Sequence, residues 1–489
     1  MNAKRTALIC SFVAAIRVFI FSAAFPFFNN VDEQAHVDLV LKYARVSPPR
    51  SLENFGAESA KYFALDSSPE YFLKPDEYGG AYPPPSWTLP PNERDQLLEQ
   101  AIPIWQSRPN HESGEPPLYY ALAGMWLDLG RVFGIEGAAL LYCVRFLNIF
   151  FAAALVWLGY RIAAALFQDR QLPVIAVTAL LAVWPQSAFY SIQSDALSPL
   201  CFATTLLALV RLWLTHPPRV VHGAFVGLGL AATCLTKTAN LPLLIVILLA
   251  MLKFLARARM SRPALVAFIA FLICVAVPLG AWFAWNLHNF GDLTGSRAKI
   301  DMLGWTRKPI SDWWSHPIFV FAGATQFFSE LMASFWRGEF IWHGQRLASS
   351  AADTFFAIIS GVLFFGAIVS LCARNMMKTP RQLLWTCAFS FAALVAFLVL
   401  LSIAFDFGDC PYPSREHPYF TSGRLLNAAA VPFFVLCAQV LDSLGRIAKR
   451  NSLAFILLGA IVIATIVAQV SVNAPAFASG FNFFHLVTR

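Results

Sequence analysis

Two adjacent carboxylates and a histidine stand where the first long apolar segment of the sequence ends. Residues 29–36 read NNVDEQAH, so that Asp32 and Glu33 precede His36 by about one helical turn. Carboxylates at such a spacing can act as a general base or bind a metal ion. The same pattern is also typical of an acidic helix N-terminus, in which Asn30 or Asp32 caps the helix. Asp32 and Glu33 are therefore candidate catalytic residues, and His36 is an accessory candidate.

Other ionisable residues stand at the ends of later apolar segments. Asp195 follows Ser194 at the start of one segment and is a third candidate catalytic residue. Lys237, Arg297 and Arg424 stand beside other segments and are candidates for binding a phosphate group. Each also has a structural interpretation, as a helix cap for the aspartate and as interfacial or ion-paired side chains for the cations. Because a charge at the membrane centre costs about 2.5–3.5 kcal/mol, we expect all four near the membrane surface.

The composition predicts a membrane protein. Hydrophobic residues make up 58% of the 489 residues and charged residues only 13%, whereas soluble domains contain about 25% charged residues. The net charge of +8 does not indicate a nucleic-acid partner, because an excess of Lys and Arg is typical of cytoplasmic loops in membrane proteins. Eight of the nine cysteines lie in or beside apolar segments, and only Cys410 lies in a polar loop. The sequence therefore favours neither a disulfide framework nor a cysteine metal site.

Eleven apolar segments are long enough to suggest membrane-crossing helices, since about 20 residues span a hydrocarbon core of about 30 Å. We therefore predict an all-α fold, a polytopic membrane helical bundle of about eleven transmembrane helices, with juxtamembrane helices in a long first outer loop. The first segment is interpreted as a retained anchor rather than a cleaved signal peptide. The segments are Thr6–Phe28, Leu140–Phe167, Leu172–Tyr190, Ala196–Leu214, Val221–Thr236, Asn240–Leu255, Ala264–Asn286, Asp353–Cys372, Leu383–Phe405, Arg424–Asp442 and Leu453–Val470.

Positively charged residues alternate between the two sides of this bundle, starting with Lys4 and Arg5. The pattern predicts a multi-pass protein of the cell membrane with a cytoplasmic N-terminus and a C-terminus outside. Pro116–Phe133 and Pro317–Phe335 contain charged residues and are expected to lie on the outer surface as amphipathic helices. The predicted regions are an N-terminal anchor (1–28), a first outer loop (29–137), transmembrane helices 2–7 (138–286), a second outer loop (287–352), transmembrane helices 8–11 (353–472) and an outer tail (473–489).

Several short motifs resemble those of one class of membrane enzymes. The first outer loop contains EPPLYY at 115–120, Ser194-Asp195 opens the fourth span, and LTK occurs at 235–237. An aromatic segment ends at Asn286 before FGD at 290–292, and a later stretch reads SFWRGEF at 334–340. In this layout the sequence resembles the GT-C class of glycosyltransferases, which includes protein O-mannosyltransferases, lipid A aminoarabinose transferases and oligosaccharyltransferase catalytic subunits. It departs from the class at Glu115, where Gln or His is common, and at Leu425, where a bacterial branch has Tyr.

The resemblance implies a membrane glycosyltransferase. Such an enzyme would transfer a sugar from a polyprenyl-phosphate-linked donor to a glycan, lipid or protein acceptor, on the outer face of a bacterial inner membrane and in contact with membrane lipids. The alternative is a transporter or flippase of a lipid-linked or amphipathic solute. That alternative predicts internal repeats and broken spans with central charges, and neither is clear in the sequence.

The resemblance also implies roles for the candidate residues. A carboxylate would accept the proton of the acceptor hydroxyl, with Asp32 as the base, and nearby cations would stabilise the departing phosphate. Some members of the class use a divalent metal ion held by carboxylates. The residues concerned are Asp32, Glu33 and Asp195 as catalytic residues and as the ligands of any metal, Lys237, Arg297 and Arg424 at the donor phosphate, and His36, Glu115 and Tyr119 as accessories.

Overall fold

The computed structural model describes residues 3–168, 170–372 and 378–486, and helices predominate in them. The ends of the predicted anchor and tail (1–2 and 487–489) and part of one basic connection (373–377) lie outside the described residues. The helices are α1 (Ala3–Ala24), α2 (Glu33–Ala44), α3 (Ala57–Asp66), α4 (Pro91–Gln106), α5 (Leu118–Val132), α6 (Gly137–Phe167), α7 (Gln171–Val183), α8 (Ser198–Leu214), α9 (Val220–Cys234), α10 (Pro242–Arg257), α11 (Arg262–Phe290), α12 (Arg297–Met302), α13 (Ile310–Trp313), α14 (Phe321–Arg337), α15 (Ser350–Cys372), α16 (Lys378–Ala404), α17 (Ala430–Ile447), α18 (Asn451–Ala478) and α19 (Phe483–Leu486). The strands are β1 (Thr306–Arg307), β2 (Ile341–Trp342), β3 (Gln345–Arg346) and β4 (Phe405–Asp406).

The prediction of an all-α polytopic membrane bundle is confirmed. Within the described residues, nine helical segments are long and apolar enough to cross a membrane, and two shorter apolar helices, α7 and α9, accompany them. Each of the eleven predicted segments coincides with one of these helices. The nine segments are Ala3–Ala24, Gly137–Phe167, Ser194–Leu214, Thr238–Arg257, Arg262–Phe290, Ser350–Cys372, Thr379–Ala404, Gly423–Ile447 and Asn451–Leu486.

Helix α7 is shorter than the apolar segment that predicted it. The helix ends at Val183, although the apolar sequence continues to Tyr190. Pro185 explains the break, because proline disfavours helical geometry at the residue before it and cannot donate a backbone hydrogen bond. The freed carbonyl of Ala182 accepts a hydrogen bond of 2.9 Å from Nε of Arg17 in α1. The chain then runs irregularly towards Asp195.

The first connection folds into helices α2–α5, which lie outside the spans. Helix α2 packs against α5, and α5 also packs against α6. Arg131 of α5 donates hydrogen bonds to Asp128 (2.8 Å) and to Glu58 of α3 (2.6 Å), which accounts for the charges in this amphipathic helix. We call the side of the bundle that carries residues 29–136 the outer side.

The carboxyl-terminal tail lies on the outer side as well. Ser479 donates a hydrogen bond of 2.6 Å to Glu70, and the ring of Phe481 lies 6.2 Å from that of Trp87. Both partners belong to the first connection. The two ends of the described chain therefore lie on opposite sides of the bundle.

Residues 287–352 also lie on the outer side and join the loop after α16. Strands β1 and β4 pair antiparallel, with Thr306 opposite Asp406. Helix α14 packs against α15 and against the turn that precedes α17. A Cβ atom at Gly423 would overlap the backbone of Phe335 in α14, so only glycine permits this close approach. The approach fixes the position of the next residue, Arg424.

Candidate functional site

Asp32 faces a polar cluster instead of capping helix α2. Its backbone is left-handed (φ 65°, ψ 4°), and its side chain makes no capping hydrogen bond. Such a conformation is uncommon for a residue other than glycine and concentrates at functional sites. The Asp32 carboxylate instead contacts His111 Nε2 (3.0 Å) through Oδ1 and Arg424 through Oδ2. The helix-cap interpretation of Asp32 is therefore wrong.

Glu33 is completely buried and contacts a different set of residues. It accepts hydrogen bonds from Arg145 Nε (2.9 Å) and Nη2 (2.7 Å) and from the backbone nitrogens of Phe28 (3.0 Å) and Ile192 (2.9 Å). All of its acceptor capacity in this arrangement is used by the protein. In this position Glu33 forms a structural ion pair with Arg145 and does not face a ligand.

Arg424 connects three carboxylates. Its guanidinium contacts Asp32, lies 3.0 Å from Oε2 of Glu339 and lies 4.0 Å from Oδ2 of Asp195. It also donates a hydrogen bond of 3.2 Å to the carbonyl of Val31. The structure thus brings together residues that follow the first span, open the fourth and open the tenth, as the sequence predicted.

Lys237 lies between two glutamates of the first connection, whose side chains are 1% and 9% exposed. Its Nζ atom is 3.4 Å from Glu112 and 3.4 Å from Glu115, and Glu112 also contacts Lys299 at 2.5 Å. Burial raises the pKa of Glu112, but the two lysines hold it well below its ordinary value. Burial raises the pKa of Glu115 to about 7, because Lys237 only partly offsets it. One glutamate is therefore firmly ionised, whereas the other titrates near neutrality.

The ion pairs form one continuous network on the outer side. Every member lies within 4.0 Å of another member of opposite charge. Five carboxylates stand against four permanent cations, and His111 bridges two of the carboxylates. The members of this network are Asp32, Glu112, Glu115, Asp195, Glu339, Lys237, Lys299, Arg346, Arg424 and His111.

Asp32, His111 and Glu112 form a group that fits a divalent metal ion. Their ligand atoms all lie within 4.8 Å of one another. Two carboxylates and an imidazole suit several divalent ions. The predicted metal ligands Glu33 and Asp195 do not join this group: Arg145 saturates Glu33, and Asp195 approaches the network through Arg424. The candidate ligand set therefore shares only Asp32 with the set named from the sequence.

Several buried polar atoms near the network have no hydrogen-bond partner among the described residues. These atoms are Oε2 of Glu115, the hydroxyl of Tyr119, Oδ2 of Asp195 and Nε2 of His36. The other ring nitrogen of His36 is 2.7 Å from the hydroxyl of Tyr120, and burial holds the pKa of His36 well below its ordinary value. Buried polar groups without partners are rare and indicate water or a ligand. Three of these four atoms belong to the accessory candidates predicted from the sequence, which are His36, Glu115 and Tyr119.

An apolar cavity adjoins the network on the outer side. It has a volume of about 280 Å³ and includes Glu115, Leu235, Trp282 and Trp285 in its lining. Glu115 belongs to both the network and the cavity. Large aromatic side chains at the end of α11 thus form one wall of a space that also includes Glu115, a partner of Lys237.

Arg297 does not join the network among the described residues. Its side chain is 76% exposed and lies 3.9 Å from Asp301 in its own helix. Lys299, two residues further, contacts Glu112 instead. Sequence reasoning also missed His111, Glu112 and Glu339. The first two precede the EPPLYY motif and the third lies inside SFWRGEF, so proximity to these motifs was the available signal.

Fold and site define a polytopic membrane protein with a partly buried ion-pair network on its outer side. The family model described as "Predicted membrane protein (DUF2142)" matches residues 16–408. The chain therefore belongs to this family. Comparison with curated proteins finds no match.

Two solved structures from Archaeoglobus fulgidus are similar to this chain. The oligosaccharyltransferase complex with Zn and sulfate has a TM-score of 0.45 and 12% identity, covering 95% of this chain and 53% of that chain. The oligosaccharyltransferase AglB in complex with an inhibitory peptide and a dolichol-phosphate has a TM-score of 0.42 and 11% identity, covering 96% of this chain and 56% of that chain. The chain spans just over half the length of these proteins.

Proposed function

We propose that the protein is a membrane glycosyltransferase of the GT-C type that uses a polyprenyl-phosphate-linked sugar as its donor. The contact of Asp32 with Arg424, in a buried network beside an apolar cavity, carries the proposal. A lipid-linked sugar phosphate needs an apolar surface for its chain, cations for its phosphate and a carboxylate for the acceptor hydroxyl. The cavity and the network supply these three features, and the motifs quoted from the sequence support the same class.

In the proposed reaction, a hydroxyl oxygen of the acceptor attacks the anomeric carbon of the donor sugar. The new carbon–oxygen bond forms as the bond from the anomeric carbon to the phosphate oxygen breaks, and polyprenyl phosphate leaves with the electron pair. Asp32 accepts the proton of the hydroxyl. Positioning and charge stabilisation supply much of the acceleration in such transfers, so the cations beside Asp32 are as important as the base.

Arg424 is proposed to couple donor binding to the basicity of Asp32. Burial raises the pKa of Asp32, but Arg424 and His111 hold it well below its ordinary value. The ion-paired carboxylate is therefore a weak base. A donor phosphate that attracts the guanidinium of Arg424 would weaken this pair and raise the pKa of Asp32. The base would then become effective only after the donor has bound.

The proposed donor brings negative charge to a network that holds five carboxylates beside its four permanent cations. A divalent metal ion at Asp32, His111 and Glu112 would add positive charge there and stabilise the charge of the departing phosphate. Lys237, between Glu112 and Glu115, is the next cation available to the phosphate. These residues would hold and orient the donor.

We further propose that the outer side faces away from the cytoplasm, in a bacterial inner membrane. The alternation of basic residues along the sequence supports this orientation. The donor would enter from the membrane along the cavity beside Trp282 and Trp285. A glycan, lipid or protein acceptor would approach Asp32 from the outer side, where its side chain remains 21% exposed.

The proposal is tested by incubating the purified protein in lipid vesicles with a radiolabelled polyprenyl-phosphate-sugar and a membrane extract as the source of acceptor. Label should appear in the acceptor, and Arg424→Gln should reduce the rate by about 100-fold or more. Arg94→Gln changes an arginine of α4 outside the network and serves as the matched control. Movement of the intact donor across sealed vesicles without transfer would instead support a transporter.

A further inference from the structure

A second cavity lies on the outer side and shares no residue with the ion-pair network. It has a volume of about 510 Å³ and lies between residues 306–317 and the loop 406–418. The pairing of β1 with β4 holds these two segments together. We call it the basic cleft, and its charged lining residues are Arg307, Lys308, Arg415, Asp312 and Asp406.

The lining of the basic cleft contains more cations than carboxylates. Arg415 lies 3.2 Å from Asp406, whereas Arg307 and Lys308 form no ion pair with any of the described residues. Asp312 accepts a hydrogen bond from the hydroxyl of Ser311 (2.9 Å). The lining therefore carries three permanent cations and two carboxylates, and two of the cations have no ion-pair contact within 4.0 Å among the described residues.

Apolar side chains project from the same segment that lines the cleft. Ile310 is 70% exposed, Trp314 is 74% exposed and Phe321 is 89% exposed, while residues between them in the sequence line the cleft. Exposed aromatic and aliphatic residues beside basic residues are typical of a segment at the interface between lipid and water. The apolar side chains would lie at the level of the acyl chains and the basic residues at the level of the head groups.

We propose that the basic cleft binds the phosphate group of a membrane lipid on the outer side. Guanidinium and ammonium groups make strong hydrogen bonds to phosphate, and the neighbouring apolar side chains contact the acyl chains. A phosphate diester on a lipid combines both features, whereas a soluble anion uses only the cations. This binding is independent of the proposed sugar transfer.

The loop that lines the basic cleft also contacts one member of the ion-pair network. Tyr412 lies in the loop 406–423, and the guanidinium of Arg346 lies 4.0 Å from the centre of its ring. Arg346 pairs with Glu339 at 2.8 Å, and Glu339 pairs with Arg424. The loop of the cleft thus reaches the network through the contact of Tyr412 with Arg346 and the ion pair of Arg346 with Glu339.

The test titrates the purified full-length protein in a neutral detergent with dihexanoyl phosphatidylglycerol, dihexanoyl phosphatidylcholine and inorganic phosphate. Binding is followed by the shift in melting temperature. Wild type should bind phosphatidylglycerol best. The variant Arg307→Gln/Lys308→Gln should bind it about 30-fold more weakly, since each cation contributes about a fivefold factor at an anionic surface.

Two controls separate charge at the cleft from general effects. Lys61→Gln/Lys74→Gln removes two exposed lysines elsewhere on the outer side and should bind phosphatidylglycerol as wild type does. Arg307→Lys/Lys308→Arg keeps both charges and should retain binding, which guards against a folding defect. Undiminished binding by the glutamine variant would overturn the proposal. If inorganic phosphate binds as tightly as phosphatidylglycerol, the ligand of the cleft is a soluble anion and not a lipid.

Discussion

Replacing Glu33 by Gln is expected to destabilise the fold, although the neighbouring Asp32 is the proposed base. Glu33 and Arg145 are both about completely buried, with side-chain exposures of 0% and 1%. Arg145 also donates hydrogen bonds to the carbonyls of Phe25 (2.5 Å) and Pro26 (2.9 Å), at the end of the first span. Removing one partner of a buried ion pair leaves the other charge without compensation and costs about 3–5 kcal/mol.

The free energy of unfolding is measured by denaturation of the detergent-solubilised protein with SDS. Glu33→Gln should lower it by about 3–5 kcal/mol, and Glu33→Gln/Arg145→Gln should cost less than the sum of the single changes. Glu58→Gln, which removes a partly exposed partner of Arg131, should cost about 1 kcal/mol or less. A change below about 1 kcal/mol for Glu33→Gln, or loss of transfer at unchanged stability, would refute the structural role.

Three further predictions concern the network and its cavity. His111→Ala should lower the content of bound divalent metal by more than about tenfold, measured by elemental analysis, and an unchanged content would reject the ligand set. Because burial raises the pKa of Glu115 from 4.5 to about 7, its contribution to stability falls as the pH rises through this window. Glu115→Gln should therefore flatten the decline of the melting temperature between pH 5 and pH 7, relative to wild type; parallel curves would contradict the assignment. Trp282→Ala should raise the KM for the donor by up to about tenfold with little change in kcat, and an unchanged KM would remove this residue from the donor path.

The sequence predicted the fold well because its main signal is local. Apolar length decides whether a helix can cross a membrane, and each of the eleven predicted segments coincides with an apolar helix. The end of α7 differed because Pro185 stops the helix before the apolar run ends. Alternation of charge also placed Asp32, Asp195 and Arg424 on one side, and the structure brings these three together.

The site was only partly predictable because its contacts depend on the orientation of single side chains. Asp32 and Glu33 are neighbours, yet the left-handed backbone of Asp32 turns the first towards the network and leaves the second facing Arg145. Arg297 and Lys299 are two residues apart in one short helix, and residues at that spacing face different directions. Only the folded structure shows which member of each pair, Asp32 or Glu33 and Arg297 or Lys299, contacts the network.

The proposed role of Asp32 as the base is tested by the rate of sugar transfer of Asp32→Asn. The substitution keeps the size of the side chain and removes its basicity. With a radiolabelled polyprenyl-phosphate-sugar, the rate should fall by about 100- to 10,000-fold at an unchanged melting temperature. Asp76→Asn, which changes an exposed aspartate of the same outer loop, should retain the wild-type rate. Undiminished transfer by Asp32→Asn would exclude Asp32 as the base.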